Sequence, residues 1–76
     1  MGSRKYRPVK SKDVRKVLKK HGFSEKHTVG SHTQWEGYIK DTRRIVTVPS
    51  YQEYKDKSLI KSIIEQSGIN WKEFYK

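Results

Sequence analysis

An α+β domain in the order α-β-β-β-α is predicted, with a three-stranded antiparallel sheet, two helices on one face of it and a short C-terminal helix. Three observations carry this. Residues 11–21 and 57–67 each place apolar side chains at helical spacing. Between them, residues 23–48 hold three extended runs in which β-branched and aromatic residues supply the apolar bodies. The links between those runs are short, which suits antiparallel neighbours and rules out crossover helices.

Taken in order, the first ten residues read as a basic N-terminal arm. Met1-Gly2-Ser3 has the look of a cloning remnant, and Arg4 to Lys10 contains Pro8 and shows no period. The single domain is then residues 11–76. Ser11 is a good N-cap, and Asp13 lies in the first turn, where the helix dipole favours an anion. Val14, Val17, Leu18 and His21 follow at i, i+3, i+4 and i+7, one helical face, and Gly22 supplies the stop. Lys12, Arg15, Lys16, Lys19 and Lys20 occupy the opposite arc.

The three strands are predicted over Phe23–Val29, His32–Tyr38 and Arg43–Val48. Lys40-Asp41-Thr42 forms the second turn, and Pro49 closes the third strand. Trp35 is the main apolar body of the middle strand and belongs to the core. Residues 50–57 are polar and aromatic and read as a loop. The second helix runs from about Lys57 to Ser67, burying Leu59 or Ile60, Ile63, Ile64 and Ser67, and Gly68 ends it. Asn70 and Glu73 make a capping-box pattern for one more helical turn, with Ile69 and Phe74 at the staple positions. There is no internal repeat and no low-complexity segment.

Composition narrows the function classes. A chain of 76 residues forms one domain with a small core. With no cysteine, disulfides, thiolate zinc sites and cysteine nucleophiles are excluded together. No apolar run approaches a membrane span, and no signal-peptide core is visible, so a soluble, cytoplasmic protein without membrane attachment is expected. The net charge is +10 and the pI about 10.0. Residues 1–20 hold nine of the lysines and arginines against the single acid Asp13. Five cations on one helix face repel one another, so a polyanionic partner is the better reading than an ordinary solvated surface. Nucleic acid, an acidic protein and an anionic membrane surface all qualify at this point.

Gly30-Ser31-His32 is the leading chemical candidate. Cutting RNA without a metal needs a group that takes a proton from a 2′-hydroxyl or gives one to the leaving oxygen. Imidazole does either near neutral pH. Gly30 permits a sharp turn and close approach to a phosphate, and Ser31 offers a hydroxyl and an N–H. As an isolated tripeptide it is more often a satisfied strand end. His21 reads as structural, and His27 as solvent-facing. His27 and His32 straddle a turn with no carboxylate cluster to complete a metal shell, so no metal and no cofactor is expected. Glu36 shares a strand face with His32 but lies ~13 Å along it, too far for contact. Neither a phosphate loop nor a serine triad is present. Arg43 and Arg44 reach the surface of His32 if their strand is its antiparallel neighbour; two solvated turn cations is an equally good reading. Trp35, Tyr38, Tyr51 and Tyr54 are candidates to stack bases, with burial the better reading for Trp35 in a core this small.

The order Ser11-Lys12-Asp13-Val14, Lys20-His21-Gly22-Phe23, Gly30-Ser31-His32, Val46-Thr47-Val48-Pro49 and Ile63-Ile64-Glu65-Gln66-Ser67-Gly68-Ile69 resembles the HicA toxin family of toxin–antitoxin pairs, over roughly residues 10–75. The resemblance implies a double-stranded-RNA-binding-domain-like fold. It implies a metal-independent endoribonuclease that cleaves mRNA, with His32 essential and Gly30 and Ser31 supporting it. RNA then lies on Lys12, Arg15, Lys16, Lys19, Lys20, Arg43 and Arg44. A HicB-like antitoxin is the implied protein partner, covering the active surface, with DNA met only indirectly through their complex. Many relatives carry a histidine shortly after the Val-Pro pair where this chain has Tyr51, and the basic arm is longer than usual. A non-catalytic double-stranded-RNA-binding module, or a domain that binds only an acidic protein, fits the residues without the chemistry.

Overall fold

The computed structural model describes residues 6–75. Arg4 and Lys5, with the rest of the arm's first five residues, lie outside the described residues. The elements are β1 (Val9–Lys10), α1 (Ser11–Lys20), β2 (Ser24–Val29), β3 (His32–Ile39), β4 (Thr42–Pro49), β5 (Glu53–Tyr54), α2 (Lys57–Ser67) and a 3-10 turn (Trp71–Tyr75). The sheet order β2-β3-β4 is antiparallel throughout, and the α-β-β-β-α order of a double-stranded-RNA-binding-domain-like fold is present.

Turn chemistry sets the sheet. Gly30 and Ser31 form a two-residue hairpin in which only Gly30 has positive φ, +59°. That is the type II′ pattern, which matches the twist of the flanking strands and favours glycine at its first position. Lys40 and Asp41 both have positive φ, 51° and 65°, the type I′ pattern between β3 and β4. The registers Trp35↔Val46 and Thr33↔Val48 then point Trp35, Gly37, Val46 and Val48 at the helices. His32, Gln34 and Tyr38 face outward with Arg43.

The helices close over the inner face. Val14, Val17 and Leu18 of α1 and Ile60, Ile63 and Ile64 of α2 join Phe23, Trp35, Val46, Val48, Tyr54, Ile69 and Phe74 in one buried cluster. Ser67, at the end of the α2 stripe, is buried but satisfied: its Oγ donates to the Ile64 carbonyl at 2.7 Å and accepts from the Ile69 N–H at 3.0 Å. Gly68 ends α2 with φ +70°, the left-handed cap that glycine adopts without strain.

Gly37 leaves room for Phe23. A Cβ built there would sit 2.6 Å from Phe23 Cγ, in a core with no slack. Gly37→Ala is expected to cost about 1–3 kcal/mol, lowering the melting midpoint by about 4–20 °C. A thermal melt followed by circular dichroism checks this; an unchanged midpoint contradicts the packing.

Four sequence expectations are corrected. Ser11 is not the N-cap. Lys10 holds that position with no side-chain cap, and Ser11 is the first helical residue. Its N–H donates to the Gln52 carbonyl at 2.9 Å and its Oγ accepts from Arg15 Nη1 at 3.1 Å. The end of the arm and the 50–57 loop are also not irregular. Val9 and Lys10 pair with Tyr54 and Glu53 in a second, two-stranded sheet. Strands of two residues are too short to show alternation, so only tertiary burial of Val9 and Tyr54 reveals them. Asp56, read as loop, caps α2 by accepting the Ser58 N–H at 2.9 Å. In the Asn70–Glu73 pattern the Asn70 side chain takes the second N–H of the turn rather than the third. Asn70 Oδ1 accepts from the Lys72 N–H at 3.0 Å, while Glu73 reaches toward His21 Nε2 at 3.8 Å.

Candidate active site

His32 is the first residue after the II′ turn. It lies across from Val29 on β2 and Pro49 on β4. The side chain is exposed, and no hydrogen bond or ion pair with the described residues engages its imidazole. The turn itself is braced. The Ser50 N–H donates to the Ser31 carbonyl at 2.7 Å, so the residue before His32 is tied to the residue after β4. Ser31 and Gly30 are exposed, with open space around Gly30. The backbone is therefore fixed while the imidazole stays free on an accessible edge. That is the arrangement a proton-transfer group needs.

A cleft of about 260 Å³ adjoins this turn, between the first turn of α1 and the β4–β5 loop. Ser11, Arg15, Thr33, Pro49, Ser50 and Tyr51 contribute to its walls. Pro49, the partner of His32 on β4, places the cleft at the His32 end of the sheet, while Thr33 and Trp35 place it on the helix side, the face opposite to the imidazole. Lys12, Arg15, Lys16, Lys19 and Lys20 are all exposed. They split into two stripes. Arg15 lines the cleft, and Lys12 and Lys19, three residues before and four after it, share its side of the helix, while Lys16 and Lys20 line a hollow with Asp13, Glu73 and Phe74.

Arg43 and Arg44 do not join that surface. The strand is antiparallel to β3, but its register puts Arg43 opposite Tyr38 and Arg44 opposite Gly37, at the far end from the His32↔Pro49 pair. Six residues of strand separate Pro49 from Arg43, ~20 Å. Arg43 also bonds Glu36, whose other oxygen lies 3.3 Å from Lys26 Nζ. The Arg43 hydrogen bond, with Lys26 beside it, holds the Glu36 carboxyl below the usual range, against a smaller opposing effect of burial. Arg44 is half-buried, with its guanidinium packed where a Cβ on Gly68 would stand, 2.9 Å from Nε. Glu36 is thus occupied as well as distant from His32.

The other candidates divide as their environments dictate. His27 is exposed, and His21 is half-buried with Nε2 near Glu73, a structural contact. Trp35 is 1% exposed and Tyr54 2%. The Tyr54 hydroxyl donates to the Pro49 carbonyl at 2.6 Å, and burial raises its phenol pKa. Tyr54 is a core residue and not a base-stacking surface. Tyr38 and Tyr51 are exposed, 62% and 60%. The residues that sequence reasoning missed are Ser11, Thr33, Ser50 and Gln52. Ser11 and Gln52 enter through a backbone bond beside the β1–β5 pairing, Thr33 and Ser50 through the register of β3 and β4, and no local motif marks them.

A family model described as the HicA toxin of bacterial toxin–antitoxin pairs matches residues 11–69, which spans α1, the whole three-stranded sheet and α2. No curated protein matches the chain. No helix among the described residues is long and apolar enough to cross a membrane.

Proposed function

The chain belongs to the HicA toxin family, and on that premise we propose that it is a metal-independent endoribonuclease that cleaves mRNA, with His32 as its acid/base group. The observation that supports this most is the presentation of His32: an exposed, unengaged imidazole on a braced II′ turn. His32 takes the proton of a 2′-hydroxyl or delivers one to the leaving oxygen. Ser31 and the backbone of the open Gly30 turn hold the scissile phosphate. Lys12, Arg15, Lys16, Lys19 and Lys20 bind and steer the RNA backbone, where their field raises the association rate.

The partner in this reading is a HicB-like antitoxin with an acidic surface that covers His32 and the basic side of α1, competing with RNA for the same charges. The pair acts in the cytoplasm, and DNA is met only through the assembled complex. Cleavage of RNA in EDTA by the wild type, absent in His32→Ala, is the test.

The five exposed cations of α1 also favour a second reading, a non-catalytic module that holds duplex RNA by shape and phosphate contact. There, His32→Ala leaves function intact. Both readings share one expectation. If the five α1 cations each neutralise one phosphate, log Kd rises with log salt at a slope of about 3.5 on a single strand and about 4.5 on a duplex. Affinity then falls about 100-fold on a single strand, and about 500-fold on a duplex, between 50 and 200 mM salt. A filter-binding titration measures it, and a slope near zero contradicts the basic helix as the RNA surface.

A further inference from the structure

We infer that the cleft between α1 and the β4–β5 loop is the subsite for an unpaired nucleotide next to the cleavage point, with Tyr51 stacking its base and Arg15 holding its phosphate. The inference rests on the ribonuclease reading and adds a substrate class to it: single-stranded rather than duplex RNA.

The loop that carries Tyr51 is held from both sides. The Ser50 N–H bonds the Ser31 carbonyl at 2.7 Å, and the Ser11 N–H bonds the Gln52 carbonyl at 2.9 Å. Tyr51 sits between these two ties. The residue is 60% exposed, and its ring leans on Tyr54 at 6.4 Å between centroids, with the planes at 52°. Tyr54 is itself fixed by its hydroxyl bond to Pro49. An aromatic ring that is exposed yet held by braced backbone and a buried ring behind it loses little freedom when a base lands on it.

The chemistry of the cleft matches a nucleotide in two halves. Arg15 supplies the charge. One of its N–H groups donates to Ser11 Oγ at 3.1 Å, which orients the guanidinium and leaves other donors for phosphate oxygens. The hydroxyls of Thr33 and Ser50 and the indole of Trp35 stand in the same walls, and the buried Trp35 N–H has no partner among the described residues. Glu25, also in the wall, repels phosphate from its side and leaves that side to the base.

The placement fits cleavage beside His32. Pro49 is directly across from His32, and Tyr51 is two residues beyond Pro49. Two residues span at most ~7 Å, and paired strand positions lie ~5 Å apart. The Tyr51 and His32 backbones are therefore within about 12 Å, and a single strand of RNA that passes over this end of the sheet reaches both the cleft on its helix side and the imidazole on its outer side. A base within a duplex offers no free face to a side chain, so this subsite admits single strands and rejects double helix.

The test uses a fluorescein-labelled 2′-O-methyl oligoribonucleotide, which lacks the 2′-hydroxyl and is not cleaved by the proposed chemistry, as a single strand and as a self-complementary duplex. Binding is read by fluorescence anisotropy for the full-length wild type, Tyr51→Ala and Tyr51→Phe, each shown folded by circular dichroism. Tyr51→Ala is expected to weaken single-strand binding at least about fivefold, leave duplex binding within twofold, and be rescued by Tyr51→Phe. Unchanged single-strand affinity in Tyr51→Ala, equal losses on both probes, or failure of Tyr51→Phe to rescue overturns the subsite and leaves the ribonuclease reading standing. Absence of any RNA binding by the wild type overturns both.

Discussion

Expression of the His32→Ala variant is expected to leave cells growing where the wild type arrests them, and the purified variant is expected to cleave RNA at least about 100-fold more slowly. General acid–base groups contribute roughly 10²–10⁴ to a rate. His27, opposite Gln34 on the same sheet face, lies a diagonal ~7–8 Å from His32 and does not occupy its position, and His21 is held against Glu73 at the end of α1. The same change is expected to leave the melting midpoint within about 2 °C, because surface side chains without such contacts seldom contribute much. His32 is exposed and makes no hydrogen bond or ion pair with the described residues. Rate and stability therefore separate at this position. A variant that remains toxic, or one that loses toxicity only because it unfolds, contradicts the assigned role.

Trp35→Ala is expected to do the reverse. Trp35 is 1% exposed at the centre of the middle strand, between Glu25 on β2 and Val46 on β4, beneath both helices. Truncating a buried tryptophan costs about 3–5 kcal/mol, since transfer free energy is lost and a cavity is left. A domain of this size holds only about 4–11 kcal/mol in total. The variant is expected to be partly unfolded at 37 °C, with its urea midpoint sharply lowered and RNA cleavage lost in proportion to the folded fraction. A urea titration followed by circular dichroism checks it. A midpoint close to wild type would show that Trp35 does not organise the core.

The contrast between these two residues also explains what was legible in the sequence. Trp35 and the helix stripes Val14, Val17, Leu18 and Ile60, Ile63, Ile64 announce themselves because burial imposes a period on sequence. His32 is legible for a different reason. The turn before it requires glycine at its first position, and strand and turn signals on either side fix where it stands. The pairing of Val9–Lys10 with Glu53–Tyr54 has neither kind of signal. It joins two residues to two others across more than forty positions, and no local propensity marks it. Everything that depends on it was hidden as well: the exchange of Ser11 from cap to cleft wall, the bracing of the loop around Tyr51, and the cleft itself. Arg43 and Arg44 stand far from His32 although their strands are neighbours, because the direction of β4 follows from its short turn, whereas the distance from His32 follows from register. Register puts them at the other end of the strand, with Glu36 and Gly68 as neighbours.

Among the predicted strand residues, Glu36 shows how occupancy decides function. It lies on the outward face of β3, as His32 does, yet Arg43 and Lys26 hold it as an ion pair. Its depressed carboxyl pKa gives a stability contribution that is present above the ordinary carboxylate range and lost as pH falls through the lowered value. Because the site is exposed and screened, that contribution is small. The pair ties the outward faces of β2, β3 and β4 together at the end of the sheet away from His32.

The measurement that bears most directly on the central claim is a gel of single-stranded RNA incubated with purified wild type and His32→Ala in EDTA. The account predicts discrete cleavage products with the wild type and intact RNA with the variant. Intact RNA in both lanes, with both proteins folded and binding RNA in a salt-sensitive way, or equal cleavage in both, would contradict it.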